Sequence, residues 1–354
     1  MGPVPPPTHG VAISTLLALA NPLLNERFDV EHIDTTDPRS LSNIGAWDFT
    51  NISLGLRHLG TLARRLRGGK GTVYLPISQN LGGFLRDSLF IHLAALRGWK
   101  VALHLRGSLF SEFYEDSNRL MRWWVRFTLR RVSSVAVVGN RLRSVFDGLM
   151  PAERIAVVPN GTPDVSLNNG SRDPNRVLYL SNLVEDKGIL EAVEAARIVI
   201  ERNPSAEVLF AGGWDDEAVE RKARDRAELM GDRIRFLPPV TGEDKEQLLQ
   251  SCSVLLFPPN APEGHPRIVL EAICRGIPLV TTDRGAIRET VTDGVSAFVL
   301  ADPDPQRLAD AILRLLDDRD LREQMGTAAR ARYEQYYTQE MADKRLADWL
   351  SSIS

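Results

Sequence analysis

The chain of 354 residues has only two cysteines, Cys252 and Cys274, both in its second half. Cys252 sits beside an apolar strand pattern and Cys274 inside an apolar helix pattern, without metal-ligand spacing. A disulfide scaffold is therefore not expected, and a reducing compartment fits better. Long apolar runs are also missing, and none approaches the roughly 20 residues that a spanning helix needs. No secretory leader pattern is visible. The six histidines form no clustered ligand pattern. The opening Met1-Gly2-Pro3-Val4-Pro5-Pro6-Pro7 leaves little room for a first strand, and the chain reads as starting in the middle of one.

Composition is otherwise that of a globular chain, with 43% hydrophobic and 25% charged residues. The length suits two domains of ordinary size. The net charge of -3 conceals an asymmetry. Residues 1–160 carry 19 Lys+Arg and 12 Asp+Glu, whereas the remainder carries 24 and 34. A basic half is thus joined to an acidic half. No nucleic-acid recognition motif accompanies the basic half. An anionic surface or anionic substrate near it suits the pattern better.

Short Val/Ile/Leu-rich runs alternate with helical patterns in both halves. In the first half, strands are predicted at 28–33, 73–75, 101–105, 135–138 and 155–158, with helices at 61–66 and 85–96. Residues 110–131 read as a long aromatic and basic helical region. Residues 165–175, rich in Asn, Ser, Gly and Asp, read as a linker. In the second half, strands are predicted at 177–180, 208–211, 234–237, 254–257 and from Pro278, with helices at 188–201, 218–230, 245–250 and 267–274. The tail from Gln306 reads as helical. Two open parallel sheets covered on both faces are the expectation. In such sheets ligands sit at the carboxyl ends of the strands, so the loops there carry the information.

One such loop reads Pro258-Pro259-Asn260-Ala261-Pro262-Glu263-Gly264-His265-Pro266, followed by the helical run Arg267 to Cys274. Glu263 precedes the helix and Glu271 lies inside it, among Ile268, Val269, Leu270 and Ala272. A carboxylate in so apolar a helix needs partners, and ligand hydroxyls are good ones. Gly264 lets backbone approach a ligand closely. By composition alone the two glutamates read equally well as a solvated loop residue and a helix surface residue. In context the segment resembles the signature of the retaining GT-B glycosyltransferases of the large family 4 type, also called glycosyl transferases group 1. The likeness continues through Gly276, Pro278, Thr281-Thr282, Gly285 and Glu289-Thr290-Val291 to Asp293-Gly294. It is strongest from Val177 to Val299 and extends to bacterial surface-polysaccharide enzymes.

The resemblance implies an α/β GT-B architecture of two facing Rossmann-like domains with a cleft between them. The domains fall at 1–164 on the acceptor side and 165–334 on the donor side, with a C-terminal helix at 335–354 crossing back. It implies that Glu263 contacts the donor sugar and Glu271 the ribose. Lys187, in the loop Leu180-Ser181-Asn182-Leu183-Val184-Glu185-Asp186-Lys187-Gly188, would face the diphosphate. A lysine at a helix start is ill placed unless an anion is near, although an ordinary solvated lysine is the plainer reading. The family usually has an arginine where this chain has Asn182, which can donate a hydrogen bond but not neutralise charge. Arg106 or Arg267 is left to supply the missing charge. Gly213, in Gly212-Gly213-Trp214, and Gly10, in Thr8-His9-Gly10-Val11, correspond to glycine loops near the donor. His9 stands where the family often has a second glycine. His104, in Val101-Ala102-Leu103-His104-Leu105-Arg106-Gly107, matches a histidine-rich strand end that approaches donor sugar and acceptor, and a lone histidine is otherwise more often structural. Arg106 there favours an anionic acceptor.

Together these imply transfer of a sugar from a nucleotide-diphosphate sugar, UDP before GDP, to a hydroxyl on a lipid-linked or polysaccharide glycan. Catalytic roles fall to His104, Lys187 and Glu263, and donor binding to Gly10, Asn182, Gly213, Gly264 and Glu271. No tightly bound cofactor or metal is expected, since Lys187 and helix N–H groups can stabilise the leaving charge. A nucleotide-sugar epimerase of the same fold and an inactive nucleotide-sugar-binding protein are the alternatives. The run Arg119, Arg122, Arg126 and Arg130 beside Trp123, Trp124 and Phe127 suits a helix against anionic lipid. It suits equally a domain helix whose tryptophans pack on the sheet. The expected location is cytoplasmic, with peripheral contact at the inner face of the membrane.

Overall fold

The structure, a computed structural model, describes residues 1–7, 9–37, 49–165 and 172–354. Thr8 and residues 166–171 of the expected linker lie outside the described residues. Packing divides the chain into two units, Met1–Gly161 with Gln339–Ser354, and Thr162–Thr338.

The first unit opens with α1 (Gly10–Ala20), α2 (Pro22–Arg27) and α3 (Phe49–Arg65). There follow β1 (Thr72–Pro76), α4 (Leu81–Leu96), β2 (Lys100–Leu105), α5 (Phe110–Asp116), α6 (Arg119–Leu129), β3 (Ser134–Val137) and β4 (Ile155–Val157). The four strands pair in the order β1-β2-β3-β4, all parallel. β2 and β3 are buried along almost their whole length, which explains their unbroken apolar runs. The strand expected at 28–33 does not form. Phe28 ends α2, and Asp29 and Glu31, which would share a strand face with the buried Ile33, are exposed, as is Val30 on the opposite face, so alternate residues share no buried face. Among the described residues, only an isolated bridge joins Gly2 to Asp34 in this region. The long helical region expected at 110–131 is divided at Ser117-Asn118, where the Asn118 side chain accepts from Met121 N and starts α6 afresh.

The second unit runs β5 (Arg176–Leu180), α7 (Ile189–Arg202), β6 (Glu207–Ala211), α8 (Glu217–Ala227), β7 (Ile234–Leu237), α9 (Gly242–Ser251) and β8 (Val254–Phe257). It continues through α10 (Arg267–Cys274), β9 (Leu279–Thr282), α11 (Ile287–Thr290), β10 (Ala297–Leu300), α12 (Pro305–Asp317) and α13 (Arg319–Tyr336). Its six parallel strands are ordered β10-β9-β8-β5-β6-β7. The chain winds outward from β5 through β6 to β7, then returns to β8 on the other side of β5. The strand order therefore reverses between β5 and β8, the place where an open α/β sheet leaves a crevice at its carboxyl edge. Helices cover both faces, with α7 and α12 in one apolar layer and α10 and α13 in the other.

The last helix, α14 (Gln339–Ile353), belongs to the first unit. Its Leu346, Trp349 and Leu350 pack on Ala102 and Ala136 of that unit's sheet.

Candidate functional site

The two loops that flank the reversal carry Lys187 and Glu263. Lys187 ends a short turn, Glu185–Lys187, and Gly188 follows with φ 72° before α7 begins. The Lys187 ammonium donates to Glu263 Oε1, forming an ion pair across the two loops. The anion that justifies this lysine is thus supplied by the protein itself, 76 residues downstream. Glu263 is buried, with 11% of its side chain exposed. Burial raises its carboxyl above the ordinary value; Lys187 opposes that shift and Asp186 adds to it.

Close glycine contacts lock these loops together. A Cβ on Gly188 would collide with the Pro258 carbonyl, and one on Gly285 (φ 53°) with the Glu263 carbonyl. Ala286 N donates to Gly264 O at 2.9 Å, which ties the turn after β9 to the Glu263 loop. Asn260 N and Ala261 N each donate to Asp186 O at 3.2 Å. On the other side, a Cβ on Gly212 would collide with the Ser181 carbonyl, and Leu183 N donates to Gly213 O at 2.8 Å. Gly212 is therefore the glycine that packing requires, whereas an added Cβ on Gly213 meets, among the described residues, only Pro239 at 3.4 Å. Asn182 is exposed, and its side chain makes no hydrogen bond among the described residues.

Glu271 lies inside α10 as expected, but a protein cation answers it. Lys245 of α9 places its Nζ 2.8 Å from Oε1 and 2.7 Å from Oε2. Sequence reading missed this partner, because nothing in the run from Lys245 to Gln250 indicates which way the helix turns its lysine.

In the first unit His104 is fully buried in β2. Its Nε2 lies 3.2 Å from the Val158 carbonyl and its Nδ1 3.1 Å from the Tyr74 hydroxyl. A carbonyl can only accept, so Nε2 carries the proton and Nδ1 accepts from Tyr74. The ring is held well below its ordinary pKa by burial, then by Arg106, against an opposing pull from the Val158 carbonyl. It is therefore neutral, with both nitrogens occupied. Arg106, two residues on, donates to Tyr74 Oη at 2.9 Å and to Asn160 Oδ1 at 2.6 Å. Both ring nitrogens of His104 are thus taken up within the first unit. Beneath them Trp349 of α14 stands edge-on to both rings, at 5.8 Å from His104 and 6.2 Å from Tyr74.

Arg106 lines a cavity of about 760 Å3 in this unit, with His9 and Val11 of the α1 start, Ile52 and Leu56 of α3, and Leu85 and Leu89 of α4. Gly10 itself is exposed, and among the described residues an added Cβ meets nothing within 4 Å, so no contact among them demands a glycine there. On α6, Trp124 turns inward and donates to Ser88 Oγ at 3.1 Å. Trp123 is 56% exposed and stacks on Phe127. Arg122 and Arg126 are tied to α5, the first through the Ser117 and Glu115 carbonyls and the second through the Tyr114 hydroxyl. Among the described residues, no group of three His, Cys, Asp or Glu is placed to hold a metal, and no helix is long and apolar enough to cross a membrane.

Residues 167–332 match the family described as glycosyl transferases group 1. Over 218 residues the chain is 27% identical to the human alpha-1,3/1,6-mannosyltransferase ALG2, covering 59% of this chain and 50% of that protein. It is 29% identical to the amylovoran biosynthesis glycosyltransferase AmsK of Erwinia amylovora over 58% of this chain and 52% of that one. The chain thus spans about half the length of these two relatives. Among solved structures, Anabaena Alr3699/HepE in complex with UDP and glucose superposes with a TM-score of 0.73 at 20% identity, covering 97% of this chain and 96% of that one. That likeness is one of fold, and the fold is the two-domain α/β arrangement called GT-B.

Proposed function

We propose, from the match of residues 167–332 to the family described as glycosyl transferases group 1, that the protein transfers a sugar from a nucleotide-diphosphate sugar to a hydroxyl acceptor. One observation carries the reading: Lys187 and Glu263 meet from the two loops that flank the strand-order reversal of the second sheet. A diphosphate in that crevice would take over Lys187 and free the Glu263 carboxylate for sugar hydroxyls. The loop N–H groups beside it are held in place by the Gly188 and Gly285 contacts. Glu271, at the same edge of the sheet, is the candidate for the ribose hydroxyls.

In the reaction, the bond between the anomeric carbon and the diphosphate oxygen breaks, and a bond to the acceptor oxygen forms on the same face. The acceptor proton passes to the departing phosphate oxygen. Negative charge grows on the diphosphate, so Lys187 contributes more at the transition state than in the ground state. The first unit holds the acceptor. UDP is favoured over GDP by the UDP in the Anabaena neighbour, and a glycan or lipid-linked acceptor by the likeness to a Staphylococcus aureus glycosyltransferase of capsular polysaccharide biosynthesis.

Calorimetry with UDP and GDP, followed by turnover of a panel of their sugars, tests the proposal. UDP should bind, and Glu271→Ala should weaken it about tenfold or more. Lys187→Ala should lower turnover about a hundredfold, in the range seen when one charge-stabilising donor is lost, measured on protein that circular dichroism shows to be folded, because loss of the lysine also leaves the buried Glu263 unpaired. A folded protein that binds neither nucleotide would refute the assignment. Selective binding of GDP would refute the base preference alone.

A further inference from the structure

We infer that Arg106 binds an anionic group, a phosphate in the first instance, on the molecule that the first unit accepts. The inference deepens the reading above and rests on it for the identity of that molecule as the acceptor. Arg106 is a half-buried guanidinium lining the cavity, and its partners are neutral: the Tyr74 hydroxyl and the Asn160 side-chain oxygen. It makes no ion pair among the described residues. The cavity's other arginine, Arg86, is already matched by Asp87, which is almost wholly buried and also accepts from Ser78 N at 2.8 Å.

A guanidinium withdrawn from water costs free energy unless an anion or a full set of acceptors answers it. Here two of its five N–H donors are used, which leaves three for a ligand. The two bonds that exist also orient it. Because His104 Nε2 donates to the Val158 carbonyl, Nδ1 must accept the Tyr74 hydroxyl proton. The lone pairs of Tyr74 Oη are then left for Arg106. Val158, His104 and Tyr74 thus form a directional chain that ends on the guanidinium and fixes the plane of its fork. Such a fork suits a phosphate, with two parallel donors. The walls contributed by Ile52, Leu56, Leu85 and Leu89 are apolar, so the phosphate is expected on an amphiphile rather than on a fully polar sugar.

The test is calorimetry on the whole chain at low salt, saturated with UDP so that the second unit's diphosphate site is not available to the probes. The probes are dihexanoyl phosphatidic acid, glycerol 3-phosphate and glycerol. Both phosphates should bind and glycerol should not. Arg106→Gln should weaken phosphate binding at least tenfold, Arg106→Lys should restore part of it, and Tyr74→Phe should weaken it severalfold by freeing the fork. UDP affinity should stay within about twofold in all three variants. Tighter binding of the lipid phosphate assigns the source to a lipid; equal binding assigns it to a soluble phosphate and leaves the role of Arg106 standing. The inference is overturned if neither phosphate binds the wild type. It is overturned equally if folded Arg106→Gln binds them as well as the wild type, which is what a merely structural arginine would give. Failure of UDP itself to bind would strike the glycosyltransferase reading, while the comparison of wild type with Arg106→Gln would still decide the anion site.

Discussion

Glu263 and His104 are both buried titratable groups, and they bend the pH dependence of stability in opposite directions. Burial raises the Glu263 carboxyl, so the folded protein holds its proton more tightly than the unfolded chain does. The stabilisation this brings is complete below the unfolded value near pH ~4.3 and is lost as pH rises through the higher folded value. Glu263→Gln lacks that loss. Thermal denaturation from about pH 4 to pH 8 should therefore show its Tm gaining on the wild type as pH rises. A gap that does not change with pH would contradict the burial argument. The His104 ring is held well below its ordinary value. Its contribution is present above the unfolded value near pH ~6.5 and is lost as pH falls toward the folded one. His104→Gln should be less stable at neutral pH and should lose less on acidification, by up to about 1.4 kcal/mol per pH unit for one proton. Parallel acid limbs in the two proteins would show that His104 does not stay neutral.

The loops at the carboxyl edge of the second sheet work as one interlocked element. Gly285 and Gly294 separate the cost of backbone conformation from the cost of that interlock. Both have positive φ, at 53° and 72°. Among the described residues an added Cβ meets nothing within 4 Å at Gly294, but at Gly285 it strikes the Glu263 carbonyl. Gly294→Ala should cost only the left-handed backbone term, about 1–2 kcal/mol, and leave UDP binding intact. Gly285→Ala should cost more and also weaken UDP, because relief of the collision moves the Glu263 loop. Denaturant melts paired with calorimetry read both quantities. Equal losses of stability with equal UDP affinity would mean that the loops move independently. The same dependence on neighbours explains α6. Periodicity showed an amphipathic helix, but only packing on α4 turned Trp124 inward to Ser88 and left Trp123 outside.

Over the whole molecule, charge follows the division into units. The first unit carries 21 Lys+Arg against 15 Asp+Glu, and the second 22 against 31. Attraction to an anionic surface is therefore expected on the first unit, where Leu120 and Trp123 of α6 are 73% and 56% exposed beside the arginines. We propose peripheral contact with anionic membrane there. Liposome flotation at low salt should recover the protein with anionic vesicles and not with neutral ones, and binding should fall as salt screens the charge. Leu120→Ser with Trp123→Ser should reduce it severalfold. These positions are better probes than Arg122 and Arg126, whose bonds to α5 make their loss a structural change as well. Wild-type protein that ignores anionic vesicles at low salt would end the membrane proposal.

Two parallel α/β sheets, and the loops worth inspecting, were legible in the sequence because buried parallel strands must be continuously apolar and their carboxyl edges must carry the polar exceptions. Lys187 and Glu271 stood out as charges that local sequence did not explain, and Glu263 and Arg106 stood out through the family resemblance. Their partners did not stand out. Lys187 finds Glu263 and Glu271 finds Lys245 across loops and helices that only the strand order β10-β9-β8-β5-β6-β7 brings together. His104 read as a residue that approaches donor sugar and acceptor; that it is buried, neutral and packed with Tyr74, Val158 and Trp349 is visible only in the folded chain. The strand expected at 28–33 failed for the same kind of reason, since a run of strand-forming residues becomes a strand only where a neighbour supplies the ladder. Periodicity and isolated charge are properties of a segment and survive in the sequence. Which charge meets which is set by topology, and only the folded chain decides it.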